Sequence, residues 1–148
     1  GGFKRADAFR EALALALDRP VGLGMMEKYR SAGVVSGETL FAEVAGQCVV
    51  IVDDMIGTGT TLLRAARAAR AAGARSVIAV ASHGLFVGAA AETLADPAID
   101  RIVVSDSVPS FRLHGSAAAA KVEVLSSAAL FAAALRGQQP SAGDGRHL

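Results

Sequence analysis

The stretch Gln47-Cys48-Val49-Val50-Ile51-Val52-Asp53-Asp54-Met55-Ile56-Gly57-Thr58-Gly59-Thr60-Thr61-Leu62 decides the fold. Cys48 to Val52 is a short apolar run with the composition of a strand buried on both faces. Two carboxylates, Asp53 and Asp54, follow it. The loop Gly57 to Thr61 comes next and feeds an Ala/Leu/Arg helix. Glycine lets backbone N–H groups approach an anion closely. A helix N-terminus adds unpaired N–H groups and positive dipole. Threonine hydroxyls donate to phosphate oxygens, and carboxylates accept from sugar hydroxyls. The combination reads as a phosphosugar site. A bare Gly/Thr turn would read as a structural strand–turn–helix with Thr as N-cap, and the acidic pair tips the balance. Two other phosphate loops are excluded. No Lys follows the glycines as in G-x-x-x-x-G-K-[ST], and Leu62 stands where G-x-G-x-x-G needs its third Gly.

Outward from this stretch, the chain reads as alternating elements. Lys4 to Asp18 has helical spacing of apolar residues and stops before Pro20. Val21 to Met26 reads as a short strand ending at Glu27-Lys28-Tyr29-Arg30. Ser31 to Gly46 reads as a long Gly-punctuated active-site loop with room for a short strand pair. Thr61 to Ala72 is the helix after the central strand, closed by Gly73. Its Arg64, Arg67 and Arg70 read as a solvated face. Ser76 to Ser82 is a buried strand with His83 at its end. Phe86 to Ala95 is a helix stopped by Asp96-Pro97. Asp100 to Ser105 is a strand followed by a turn at Asp106, and Val122 to Leu125 a last strand. Ser126 or Ser127 caps a final helix to about Arg136. Residues 1–136 form one domain, and 137–148 a polar tail expected to be disordered.

Strands alternating with helices imply a mostly parallel sheet flanked by helices, an α/β fold. Ligands in such sheets bind beyond the carboxyl ends of the strands. Asp53, Lys28, His83 and Asp106 are all expected there.

Composition sets bounds. The chain has 148 residues, enough for one domain with a core. Apolar residues make up 52% and aromatics 5%, so Ala, Val, Leu and Ile must build that core. A formal net charge of +1 gives no reason to expect nucleic acid or an anionic membrane as partner. The one cysteine, Cys48, reads as a small core residue, and with no second cysteine a reducing compartment is expected. No apolar run reaches the ~18 residues of a membrane span. The first residue is Gly, so a processed or partial chain is expected.

The central stretch resembles the phosphoribosyl pyrophosphate-binding motif of type I phosphoribosyltransferases, and more closely that of ribose-phosphate pyrophosphokinases. Gly1-Gly2-Phe3-Lys4-Arg5-Ala6 is similar to that family's G-G-x-x-R-A segment, and Glu27-Lys28-Tyr29-Arg30 to its D-K-R-R. Ser82-His83-Gly84-Leu85-Phe86 is similar to T-H-G-L-F, and Ile102 to Pro109 to I-V-V-T-D-T-I-P. The matches run in order over Gly1 to Leu135, the C-terminal half of such an enzyme.

The resemblance implies transfer of pyrophosphate from ATP to ribose 5-phosphate, giving phosphoribosyl pyrophosphate and AMP, with Mg2+. It implies Lys28 and Arg30 as catalytic, with Arg30 also on the sugar phosphate. Asp53 and Asp54 would take the ribose hydroxyls, and Gly57, Thr58, Gly59, Thr60 and Thr61 the 5-phosphate. ATP would need regions outside this chain, and the metal ligands stay unassigned. A cytoplasmic homo-oligomer is expected. Gly57 stands where the synthetases carry Asp, Thr60 where they carry Gly, and Tyr29 where they carry Arg. Two other readings stay open: a phosphoribosyltransferase acting on a nucleobase, and a non-catalytic phosphosugar-binding homologue.

Overall fold

The computed structural model describes residues 2–31 and 34–137. The first helix, α1, spans Gly2–Leu17. A two-stranded antiparallel ribbon follows, β1 (Met25–Ser31) and β2 (Val34–Phe41). Next come β3 (Cys48–Ile56), α2 (Thr60–Ala71), β4 (Ser76–Gly84) and the short α3 (Ala90–Leu94). The chain ends with β5 (Arg101–Ser105), β6 (Val122–Leu125) and α4 (Ala128–Leu135). The main sheet has four strands in the order β3-β4-β5-β6, and every pair is parallel. The parallel sheet with flanking helices is the expected architecture. The expected disorder of the tail beyond Gly137 lies outside the described residues.

The core forms where period-2 burial along the inner strands meets the helices. Val77, Ala79 and Ala81 of β4, with Ile102 and Val104 of β5, are buried on one face. Leu62, Ala66 and Ala69 of α2 are buried at i, i+4 and i+7, one stripe of a helix. Leu94, Ile99, Leu113 and Ala118 complete the cluster. Each buried Val, Leu or Ile contributes about 1.5–3 kcal/mol from surface removed from water. Gly73, at φ +89°, ends α2 in the left-handed region, as its sequence position suggested.

The arginines of α2 do more than face solvent. Arg67 pairs with Asp96 at 2.6 Å, and Arg70 pairs with Asp100 and donates to the carbonyls of Ala98 and Arg75. Asp100 also accepts from the amide of Val77, fastening the start of β4 to the start of β5. Lys121 donates to the carbonyls of Ala95, Asp96 and Ile99, satisfying acceptors beyond the C-terminus of α3.

Several sequence expectations are corrected. The strand anticipated at Val21–Met26 begins at Met25, because Gly22 and Gly24 leave the preceding segment without a ladder and β2 is the partner that fixes the register. Half of the anticipated loop 31–46 is β2, which with β1 forms the strand pair the loop had room for, and Lys28 lies within this antiparallel ribbon opposite Glu38 rather than at the end of a parallel strand. Strand β3 is an edge strand, so Val49–Val52 are half-buried and Cys48 is exposed rather than a core residue. It runs on to Ile56, which places Asp53 and Asp54 inside the strand. The helix anticipated at Phe86–Ala95 shrinks to α3, because Phe86 (φ +49°) and Gly88 (φ +58°) adopt left-handed backbone. Phe86 is buried there, and its ring lies where a Cβ on Gly84 would stand, so Gly84 has no room for a side chain.

Candidate functional site

A phosphate loop needs a backbone that turns sharply and amides left without internal acceptors. Both follow from the residues after β3. The carbonyl of Ile56 accepts from the amides of Leu85 and Phe86, and that of Gly57 from Val87 at 3.1 Å. These bonds anchor the loop to the exit of β4. Gly59 then takes φ +78° and serves as the N-terminal boundary of α2. A Cβ there would lie 2.7 Å from Leu94 Cδ2, so both the dihedral and the packing require glycine. The first helical bond runs from Leu63 N–H to Gly59 carbonyl at 2.8 Å. The amides of Thr60, Thr61 and Leu62 precede it and have no partner within the helix. Thr58 and Thr60 bring their hydroxyl oxygens to 3.0 Å of each other. The result is a pocket of about 190 Å³ lined by Asp53, Met55, Ile56 and every residue from Gly57 to Leu62.

Asp53 and Asp54 differ in their surroundings. Asp53 lines the pocket, and one of its oxygens accepts from the amide of Asp54 at 2.8 Å. Partial burial, then the neighbouring Asp54 carboxyl, hold the Asp53 carboxyl above its ordinary range. Asp54 accepts from the amide of Met55 at 3.0 Å and pairs with Arg5 of α1 at 3.3 Å. Its carboxyl is held below the ordinary range, first by its hydrogen bond with Asp53 and then by Arg5.

A second polar cluster stands one and two strands away. His83, which pairs with Met55 across β3 and β4, places Nδ1 2.8 Å from Ser107 Oγ. Ser105 and Ser107 both donate to the carbonyl of Ser82. Asp106 accepts from the hydroxyls of Ser126 and Ser127 and from the amide of Ser127. Those bonds hold its carboxyl at about 2. Ser126 and Ser127 thus bind Asp106, and Ser126 Oγ also accepts from the amide of Ala128, the first residue of α4, while the Ser127 side chain makes no cap hydrogen bond.

The structure therefore brings Asp53, Gly57, Thr58, Gly59, Thr60 and Thr61 to one pocket, with Asp54 just outside it. Lys28 and Arg30 occupy β1, and their side chains lie outside the described residues. A larger groove of about 1070 Å³ runs along β3 between α1, the 19–26 segment and α2. Its lining is mainly apolar, with Arg10, Arg19 and Asp53 among it, whereas the smaller hollow gathers the whole Gly57–Thr61 loop. Arg5 stands in the segment similar to G-G-x-x-R-A, but nothing in the sequence tied it to Asp54. It reaches Asp54 across 49 positions of chain only because α1 packs on β3.

A parallel α/β sheet with a Gly/Thr loop leading from an acid-bearing strand into a helix N-terminus defines an α/β class of protein with a candidate anion site where such sheets bind ligands. Residues 26–140 match the model of the phosphoribosyl synthetase-associated domain. The chain belongs to this family. It is 38% identical over 137 residues to a ribose-phosphate pyrophosphokinase of Haemophilus influenzae, covering 92% of this chain and 41% of that relative. It is 40% identical over 123 residues to one of Ralstonia nicotianae, covering 82% and 38%. A crystal structure of phosphoribosylpyrophosphate synthetase from Mycobacterium smegmatis superposes with a TM-score of 0.71 at 28% identity, covering 90% of this chain and 41% of that one. The chain thus spans about two fifths of the length of these relatives.

Proposed function

We propose that this chain is the ribose 5-phosphate-binding portion of a ribose-phosphate pyrophosphokinase. The amides at the start of α2 and the hydroxyls of Thr58, Thr60 and Thr61 take the 5-phosphate, with Gly57 and Gly59 permitting the approach. Asp53, with Asp54 beside it, accepts from the ribose hydroxyls. The anomeric hydroxyl oxygen attacks the β-phosphorus of ATP, the bond between that phosphorus and the α–β bridging oxygen breaks, and AMP leaves. The proton of the hydroxyl is released as phosphoribosyl pyrophosphate forms. Lys28 and Arg30 on β1 are the proposed cations that stabilise charge on the migrating group.

Mg2+ would supply charge neutralisation on the phosphates of ATP. Among the described residues no group of three His, Cys, Asp or Glu side chains stands ready to hold a metal. Mg2+ is commonly held by one or two carboxylates, water and substrate phosphates. Asp53 and Asp54 are assigned to the ribose hydroxyls, so the protein ligands of Mg2+ stay unassigned among the described residues. ATP is proposed to bind with regions outside this chain, in a cytoplasmic homo-oligomer. Among the described residues no helix is long and apolar enough to cross a membrane.

The observation that supports this reading most is the small pocket in which Asp53 and the whole Gly57–Thr61 loop meet. The test is formation of AMP from ATP in the presence of ribose 5-phosphate and Mg2+, made with the ATP-binding regions outside this chain present. Sugar-dependent AMP release is the expected result. ATP consumption independent of the sugar, or pyrophosphate release with a nucleobase instead, contradicts it.

A further inference from the structure

Adjacent carboxylates on one strand repel each other, and a binding site that needs one of them must hold the other in place. Asp53 and Asp54 are such a pair in β3. Their backbone fixes part of the arrangement: Asp53 accepts from the amide of Asp54, and Asp54 accepts from the amide of Met55. The remaining contact comes from outside the strand. Arg5, in the second turn of α1, brings Nη1 to 3.3 Å of Asp54 Oδ2, with the two side chains 39% and 52% exposed. Among the described side chains, Arg5 is the cation recorded against this pair. It touches the acid that does not line the small pocket, while Asp53, which does line it, has no ion pair recorded among the described residues.

From this division we infer that Arg5 is a positioning residue of the sugar site: it clamps Asp54 against α1 and leaves the Asp53 carboxylate turned into the pocket for the sugar hydroxyls. The inference rests on the ribose 5-phosphate reading above and adds α1 to the site. It also assigns the two acids different work. Asp54 is the anchored member and Asp53 the ligand-facing one. Because the Arg5 contact is through one guanidinium nitrogen, a lysine ammonium can replace it, unlike a bidentate pair.

Two measurements on the whole chain separate the inference from the reading it rests on. The first is calorimetric titration with ribose 5-phosphate of wild type, Arg5→Gln, Arg5→Lys, Asp54→Asn and the double variant Arg5→Gln/Asp54→Asn. Arg5→Gln is expected to bind about fivefold more weakly, the size of a partly exposed ion pair. Arg5→Lys is expected to recover most of the loss. In the Asp54→Asn background, Arg5→Gln should change nothing further, since its partner is gone. The second measurement needs no ligand: carbon NMR titration of the Asp54 carboxyl, which should move upward in Arg5→Gln and return in Arg5→Lys. Wild type that fails to bind removes the sugar reading, and the NMR titration still decides the clamp. Wild type that binds, with Arg5→Gln equal to it, overturns the inference. An unmoved Asp54 titration overturns it as well, and circular dichroism confirms that each variant is folded.

Discussion

Asp53 and Asp106 both sit near the carboxyl ends of parallel strands, yet they are opposites. Asp106 is saturated: two serine hydroxyls and one amide donate to it, and its carboxyl is held at about 2. Asp53 accepts from one neighbouring amide and is held above the ordinary range by partial burial and by Asp54. A carboxylate that the fold already supplies with donors has no need of a ligand. One held in an unfavourable setting gains most when hydroxyls arrive. Under the proposed function, the difference separates Asp106 as a structural acid from Asp53 as the ligand-facing one.

The largest expected effect falls on the loop that accompanies Asp53. Gly59→Ala adds a Cβ 2.7 Å from Leu94 to a backbone at φ +78°, which should cost about 1–3 kcal/mol of stability. It should also abolish ribose 5-phosphate binding, because the turn into α2 must shift. Chemical denaturation and calorimetry check the two halves separately.

Acid stability sharpens the contrast between the two acids. The Asp106 carboxyl is lowered from its ordinary 3.8 to about 2, so protons favour the unfolded chain. Its contribution is present above pH ~4 and is lost as pH falls through ~2. Asp106→Asn should therefore be less stable than wild type at neutral pH, with a flatter dependence on acid, as read from denaturation midpoints across pH. The Asp53 carboxyl is raised, so its contribution is present below pH ~4 and lost as pH climbs through its folded value. Asp53→Asn should unfold no more readily than wild type at pH 7. An equal loss in both variants breaks the comparison.

The smallest effect is expected at Gly57. A Cβ there meets nothing nearer than Val87 Cγ2 at 3.9 Å, and the backbone is outside the left-handed region. Gly57→Asp should change stability by no more than about 0.5 kcal/mol, measured by thermal melting. A large loss would show that the loop has less room than this geometry gives it.

Much of the pocket was legible because it is local. Residues 53 to 61 are close in sequence, so Gly, Thr and Asp carry their own turn, donor and acceptor chemistry. The parallel sheet was legible from alternating apolar runs. The state of β3 was not, since an apolar pentapeptide reads alike at an edge or in a centre, and only pairing decides. The roles of Arg67 and Arg70 were also hidden, because their partners Asp96 and Asp100 lie about thirty residues away and only the packing of α2 against β4 and α3 unites them. The same holds for Asp106, whose serines come from the far side of β6, and for Arg5, whose acid lies on β3. The late start of the helix after β4 turned on the left-handed backbone at Phe86, for which an aromatic side chain gives no local cue.

The most direct test of the central claim is a side-by-side calorimetric titration of ribose 5-phosphate into wild type, Asp53→Ala and Asp106→Asn. Wild type should bind, Asp53→Ala should lose at least about tenfold in affinity, the worth of hydrogen bonds to a charged group, and Asp106→Asn should bind as wild type does. Undiminished binding by Asp53→Ala, or a loss confined to Asp106→Asn, contradicts the account.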